Sequence, residues 1–140
     1  MRYCSGDASF SIKEIDIGMT ADVGTLQRLP KLVGEGMARE LAYTGRKFSA
    51  TEALTMRLVN QVFESREALQ AGVREIAANI AAKSPLSIRG VKEIITYARD
   101  HSVADGLNYV ATWNAAMLLS NDLQEAMMAN MGKRAPEFKD

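Results

Sequence analysis

Apolar and polar residues alternate over residues 8–17, with Phe10 and Ile12 on one side and Ser11 and Lys13 on the other, which predicts a strand reaching Glu14. Past Gly18 the spacing turns helical. Residues 22–33 read as a short helix disturbed at Pro30, and 36–43 as a second helix beyond Gly34 and Gly36. Ser49-Ala50-Thr51-Glu52 has capping-box spacing and opens a helix over 50–57, after which residues 58–63 alternate as a strand. From Ser65 onward the pattern predicts only helices: 66–82, then 85–98 with Ser84 as cap and Pro85 at the first helical position, then 103–119 and 121–131. Leu86, Val91, Ile94, Ile95 and Ala98 recur at helical spacing, as do Leu107, Val110, Ala111, Trp113 and Leu118 more loosely, so these faces need a surface to bury against.

The organisation therefore changes once, near Glu64-Ser65. Residues 1–64 are α/β material of short strands and helices, and 65–140 form a helical region. No internal repeat, low-complexity stretch or flexible linker separates the two, which makes them subregions of one fold.

Composition narrows this picture. With 47% hydrophobic and 24% charged residues, 17 basic against 17 acidic, the chain has the make-up of a soluble intracellular domain, and no apolar run is long enough to cross a bilayer. No basic patch points to nucleic acid. Zero net charge and eight methionines leave little to oppose self-association. The single cysteine, Cys4, has neither an internal disulfide partner nor metal-ligand spacing, and is expected to be a small buried strand residue in a cytoplasmic protein.

The chemistry centres on two carboxylates eight residues apart, Glu14 and Asp22, in Lys13-Glu14-Ile15-Asp16-Ile17-Gly18-Met19-Thr20-Ala21-Asp22-Val23-Gly24. Gly18 and Gly24 hinge the intervening loop, so the chain can fold back and present both carboxyl groups to one ligand, as proton transfer between two substrate carbons requires. The plainer alternative makes Asp22 the N-cap of the following helix and Glu14 a solvated charge at a strand end.

The segment from Ser11 to Pro30, closing on Thr25-Leu26-Gln27-Arg28-Leu29-Pro30, resembles the signature of the enoyl-CoA hydratase/isomerase (crotonase) superfamily. Further matches run through Thr44-Gly45-Arg46-Lys47-Phe48-Ser49-Ala50-Thr51-Glu52-Ala53, Leu58-Val59-Asn60, Lys83-Ser84-Pro85, Arg99-Asp100-His101-Ser102-Val103 and Ala111-Thr112-Trp113-Asn114. Hydratases of that family carry a glycine-rich turn before Thr-Gln-Arg-Leu, whereas Ala21-Asp22-Val23-Gly24 resembles its Δ3,5-Δ2,4-dienoyl-CoA isomerases. The resemblance implies a crotonase-like α/β fold, Glu14 as the catalytic carboxylate shared with the hydratases, and Asp22 as the additional one of the isomerases. It further implies an acyl-CoA substrate in fatty acid β-oxidation, with coenzyme A as part of the substrate and no separate cofactor. The helical region would mediate packing into a homotrimer or homohexamer.

Glu125-Ala126-Met127-Met128-Ala129-Asn130-Met131-Gly132-Lys133-Arg134-Ala135-Pro136-Glu137-Phe138 is similar to the family's terminal segment but departs from it at Ala126, Asn130 and Gly132. By that similarity Lys133 and Arg134 would meet a CoA phosphate and Phe138 the substrate. A solvated helix end is the plainer explanation of the basic pair. The chain corresponds to the C-terminal half of the family, which places the oxyanion-hole donors and a third carboxylate in segments upstream of Glu14, and Met1 to Cys4 inside a strand. It is expected to be truncated and a poor enzyme alone. The alternatives are a 2-enoyl-CoA hydratase, with Glu14 activating water, and a non-catalytic oligomerising remnant.

Other residues carry plainer expectations. His101, the only histidine, stands at a helix junction where a helix-end carbonyl is its natural partner. Tyr97, Tyr109 and Trp113 are packing residues by their spacing, with Tyr109, Trp113 and Met117 the buried contacts of their helix. Met117, Met127, Met128 and Met131 suit irregular packing or a compliant acyl surface. No metal site is expected.

Overall fold

The computed structural model describes residues 1–139 and divides into two units, Met1–Arg74 and Glu75 onward. In the first, Tyr3–Ser5 is β1, Ser9–Phe10 is β2, and Glu14–Ile17 is a single 3-10 turn. Thr25–Arg28, Pro30–Val33 and Glu35–Thr44 are α1, α2 and α3; Phe48–Ser49 is β3, Ala50–Thr55 α4 and Gln61–Phe63 β4. β1 runs parallel to β4 with Cys4 opposite Val62, and β2 runs antiparallel to β3 with Phe10 opposite Phe48, their rings stacked at 5.4 Å.

The strand expected over 8–17 is thus only Ser9–Phe10. Alternation continues past Ile12, but the chain winds into the 3-10 turn, which Gly18 ends at a φ of 73°. Such a left-handed residue carries no side-chain penalty only when it is glycine. The helix expected over 22–33 is two short ones, with Pro30 at the first position of α2, where its missing N–H costs nothing. Ser49 and Glu52 form the expected capping box.

The core of this unit is one cluster around the fully buried Leu41, joined by Cys4, Ile12, Ala21, Leu29, Ala38, Phe48, Ala50, Ala53 and Val59. Burial raises the Cys4 thiol above its ordinary pKa, with Asp7 adding to the effect. Arg46 bridges α3 and α4, its guanidinium 2.9 Å from both Glu40 and Glu52.

The unit boundary falls inside Arg66–Ala81, α5, ten residues later than the division expected at 64/65. The Phe63 ring lies so close over Gly72 that a β-carbon would have no room, which ties the first turns of α5 to β4.

In the second unit Pro85–Ala98 is α6, Val103–Met117 α7 and Asn121–Met131 α8. Their serine caps hold each start: Ser84, Ser102 and Ser120 accept from Ser87, Asp105 and Leu123 backbone N–H groups at 3.1, 3.1 and 3.3 Å. The Ser84 hydroxyl also donates to the buried Asp122 carboxylate at 2.5 Å, joining the starts of α6 and α8. α7 lies on α6 through Trp113 against Gly90, and Tyr109 donates to Glu93 at 3.3 Å. Tyr109, Trp113 and Met117 are half-buried on this face rather than fully buried. His101 Nδ1 sits 2.7 Å from the Tyr97 carbonyl at the end of α6.

Candidate active site

Ile12 and Ala21, both buried in the Leu41 cluster, fasten the two ends of the loop that carries Glu14 and Asp22. Between these anchors the chain bows outward. The turn closes on itself when the Met19 N–H donates to the Glu14 carbonyl at 2.9 Å and the Gly18 N–H to that of Ile15 at 3.2 Å. Lys13 pairs with Asp16 at 2.6 Å. Gly45, at the end of α3, lies close beneath: a β-carbon there would stand 2.8 Å from an Asp16 carboxylate oxygen and 3.0 Å from Ile15.

On the far side, Gly24 holds a φ of 88° and is itself the N-cap of α1, so Asp22 stands two residues before the cap and caps nothing. The expectation that Asp22 begins the helix is corrected accordingly. Arg28 folds back from α1 over Gly24 and donates to the Val23 carbonyl at 3.4 Å, filling the space a side chain at 24 would need.

Two carboxylates thus stand at the ends of one core-anchored loop, Glu14 half-buried and Asp22 exposed. Neither makes a hydrogen bond or ion pair among the described residues. Around them the loop presents apolar side chains, with Ile17 72% and Val23 78% exposed and Ile15 and Met19 nearly half exposed. Unpaired carboxylates in apolar surroundings suit proton transfer on an apolar substrate, because the groups are not already spent on structural partners.

The remaining candidates lie in the second unit. Lys133 follows α8 with a left-handed φ of 51°, and its ammonium makes no ion pair among the described residues. Arg134 is engaged: its two terminal nitrogens lie 2.5 and 2.9 Å from the two oxygens of Glu125. The Glu137 backbone N–H donates to the same carboxylate at 2.8 Å, and together these donors hold Glu125 at a pKa of about 2. Glu125 had no role assigned from the sequence; its nine-residue offset from Arg134 spans a helix end, where no simple periodicity applies. Phe138 is half-buried and lines one groove together with Pro85, Leu86 and Leu119.

Across residues 1–140 the chain matches the profile described as enoyl-CoA hydratase/isomerase, and it belongs to that family. It is 54% identical over 138 residues to a peroxisomal Δ3,5-Δ2,4-dienoyl-CoA isomerase of Arabidopsis thaliana, covering 99% of this chain and 50% of that protein. To the mitochondrial dienoyl-CoA isomerase of Homo sapiens it is 48% identical over 130 residues, 92% of this chain and 40% of that one. The crystal structure of an enoyl-CoA hydratase from Bacillus anthracis superposes with a TM-score of 0.95 at 33% identity, over 99% of this chain and 54% of the hydratase. The crotonase fold is therefore shown, and the chain spans about half the length of the relatives it matches.

These relatives also correct the expected cytoplasmic location, since the plant protein is named peroxisomal and the human one mitochondrial. Composition and net charge govern solubility and carry no address, which receptors read from separate signals.

Proposed function

We propose that this chain supplies the two acid/base carboxylates of an acyl-CoA isomerase that converts 3,5-dienoyl-CoA to 2,4-dienoyl-CoA. The observation that carries the reading is the loop itself: Glu14 and Asp22, both without structural partners among the described residues, stand at opposite ends of a segment pinned into one core by Ile12 and Ala21. Identities of 45–54% to proteins named dienoyl-CoA isomerases support the same choice.

The thioester carbonyl acidifies C2. Glu14 takes a proton there, and the electron pair spreads through both double bonds to the thioester oxygen as a conjugated enolate. Asp22 delivers a proton to C6; the electrons return, leaving double bonds at C2 and C4, and the substrate neither gains nor loses atoms. Regenerating the starting protonation states requires the proton on Glu14 to leave and Asp22 to regain one. Proton transfer by positioned groups of this kind contributes about 10²- to 10⁴-fold each. In the second unit, Val91, Ile95, Leu107, Leu118 and Leu119 remain exposed, and a homotrimer or homohexamer would cover such apolar area.

The test is turnover by a protein of the relatives' full length, offered a 3,5-dienoyl-CoA and, separately, crotonyl-CoA. Isomerisation of the first supports the reading. Hydration of the second with no isomerisation assigns the loop to a hydratase, and binding without either reaction leaves a non-catalytic remnant. Light scattering of the same sample reports the assembly, and a monomer at micromolar concentration contradicts the trimer.

A further inference from the structure

At the end of α8 the chain reverses: the Gly132 N–H donates to Met128 at 2.9 Å, the Arg134 N–H to Ala129 at 3.0 Å, and Lys133 between them takes the left-handed backbone. The following residues do not leave the surface. Arg134 grips Glu125 with both terminal nitrogens, and the Glu137 N–H lands on the same carboxylate, so three donors from the departing segment converge on one side chain of the helix it departs from. Arg134 Nη1 also donates to the Ala135 carbonyl at 3.0 Å, fixing the guanidinium relative to its own backbone. One residue beyond Glu137, Phe138 is half-buried and lines one groove together with Pro85, Leu86 and Leu119.

We propose that Glu125 is a positioning residue that folds the segment after α8 back onto the second unit, with Arg134 as its internal lock, and so sets where Phe138 stands; that Phe138 meets the acyl-CoA rests on the isomerase reading above together with the similarity of the terminal segment. Arg134 thereby serves the protein's own architecture and is not a phosphate ligand. A planar guanidinium seated bidentately on a carboxylate has its fork satisfied, and a lysine in its place would offer only a point charge. The third donor, a backbone N–H, converts a side-chain pair into a constraint on the path of the chain.

Two measurements test this. In the first, trypsin is applied to the chain carrying Glu125→Gln or Arg134→Lys, and cleavage after residue 134 is timed by mass. Trypsin must draw the basic side chain out of its pair, so the rate follows the open population when opening is fast. Both variants are expected to be cut about tenfold faster or more, the loss of one charge-assisted hydrogen bond sufficing for that factor. Arg134→Lys keeps the charge and the cleavage site, so a fold defect in Glu125→Gln does not blur the result. Unchanged rates in both variants overturn the clasp.

In the second, steady-state kinetics are run on the full-length enzyme. Glu125→Gln is expected to raise KM for a 3,5-dienoyl-CoA about tenfold while kcat stays within about twofold, the pattern of lost uniform binding. An unchanged KM overturns the placement of Phe138 at the substrate. Should the unsubstituted enzyme not turn over a 3,5-dienoyl-CoA at all, the isomerase reading falls, and the trypsin rates still decide the clasp.

Discussion

Ile12 and Ala21 are buried in the same hydrophobic cluster although eight residues separate them, and everything between them is half-buried or exposed. The burial of these two side chains, more than any hydrogen bond, fixes where the loop leaves and re-enters the core. Glu14 lies two residues inside one anchor and Asp22 one residue beyond the other, so each carboxylate inherits its position from a packed neighbour. Carboxylates placed this way depend for their position on core packing that lies outside the loop itself.

Gly90 and Trp113 give a test of how α6 and α7 meet. A β-carbon at 90 would overlap the indole, so Gly90→Ala forces the ring out of place and is expected to cost about 1–3 kcal/mol. Trp113 is the only tryptophan, and its fluorescence reports the change directly. A red-shifted emission maximum with a lower urea midpoint is expected; an unchanged spectrum and midpoint would mean that the two helices are not in this contact.

Arg57 stands at a φ of 63° just past α4, where the Leu58 N–H returns to the Ala53 carbonyl at 2.8 Å. This is the left-handed position at which helices favour glycine. Since Arg57 is exposed, Arg57→Gly relieves the β-carbon strain and is expected to stabilise the chain by about 0.5–1 kcal/mol in urea unfolding. A loss of stability would show that the arginine side chain contributes more than its backbone costs.

Among the described residues, three carboxylates are held below their ordinary range. Glu52 is lowered by the Ser49 backbone N–H and then by Arg46, Asp105 by the Ser102 hydroxyl and backbone, and Glu125 to about 2 by Arg134 and the Glu137 N–H. A depressed folded value means the unfolded chain binds protons first. The stabilisation is therefore complete above the ordinary values of 4.5, 3.8 and 4.5 and is lost as pH falls through the folded ones. Carboxyl NMR titration should give Glu125 a midpoint of about 2, and a midpoint near 4.5 would contradict the Arg134 clasp.

Helices were legible wherever a cap announced them. Ser84 with Pro85 marked α6 to the residue, the Ser49–Glu52 box fixed the start of α4, and α8 also ran as expected. The strand over 8–17 failed because alternation at Phe10 and Ile12 is equally compatible with a two-residue strand entering a 3-10 turn, and pairing with β3, itself only Phe48–Ser49, is a non-local event. Asp22 looked like a cap because its residue type favours one; Gly24 took that position through a backbone conformation that side-chain preference does not encode. Lys133 and Arg134 read as one basic pair, and only the folded chain separates them, since Glu125 reaches Arg134 alone.

The most direct measurement is the rate of 3,5-dienoyl-CoA isomerisation by the full-length enzyme carrying Asp22→Asn. The change is nearly isosteric, lies on an exposed side chain with no partner among the described residues, and removes only the group that carries the proton. A fall of about 10²- to 10⁴-fold in kcat, with acyl-CoA binding retained, is expected for a general acid lost from its place. Undiminished turnover would contradict the assignment of Asp22, and with it the two-carboxylate loop as the seat of the chemistry.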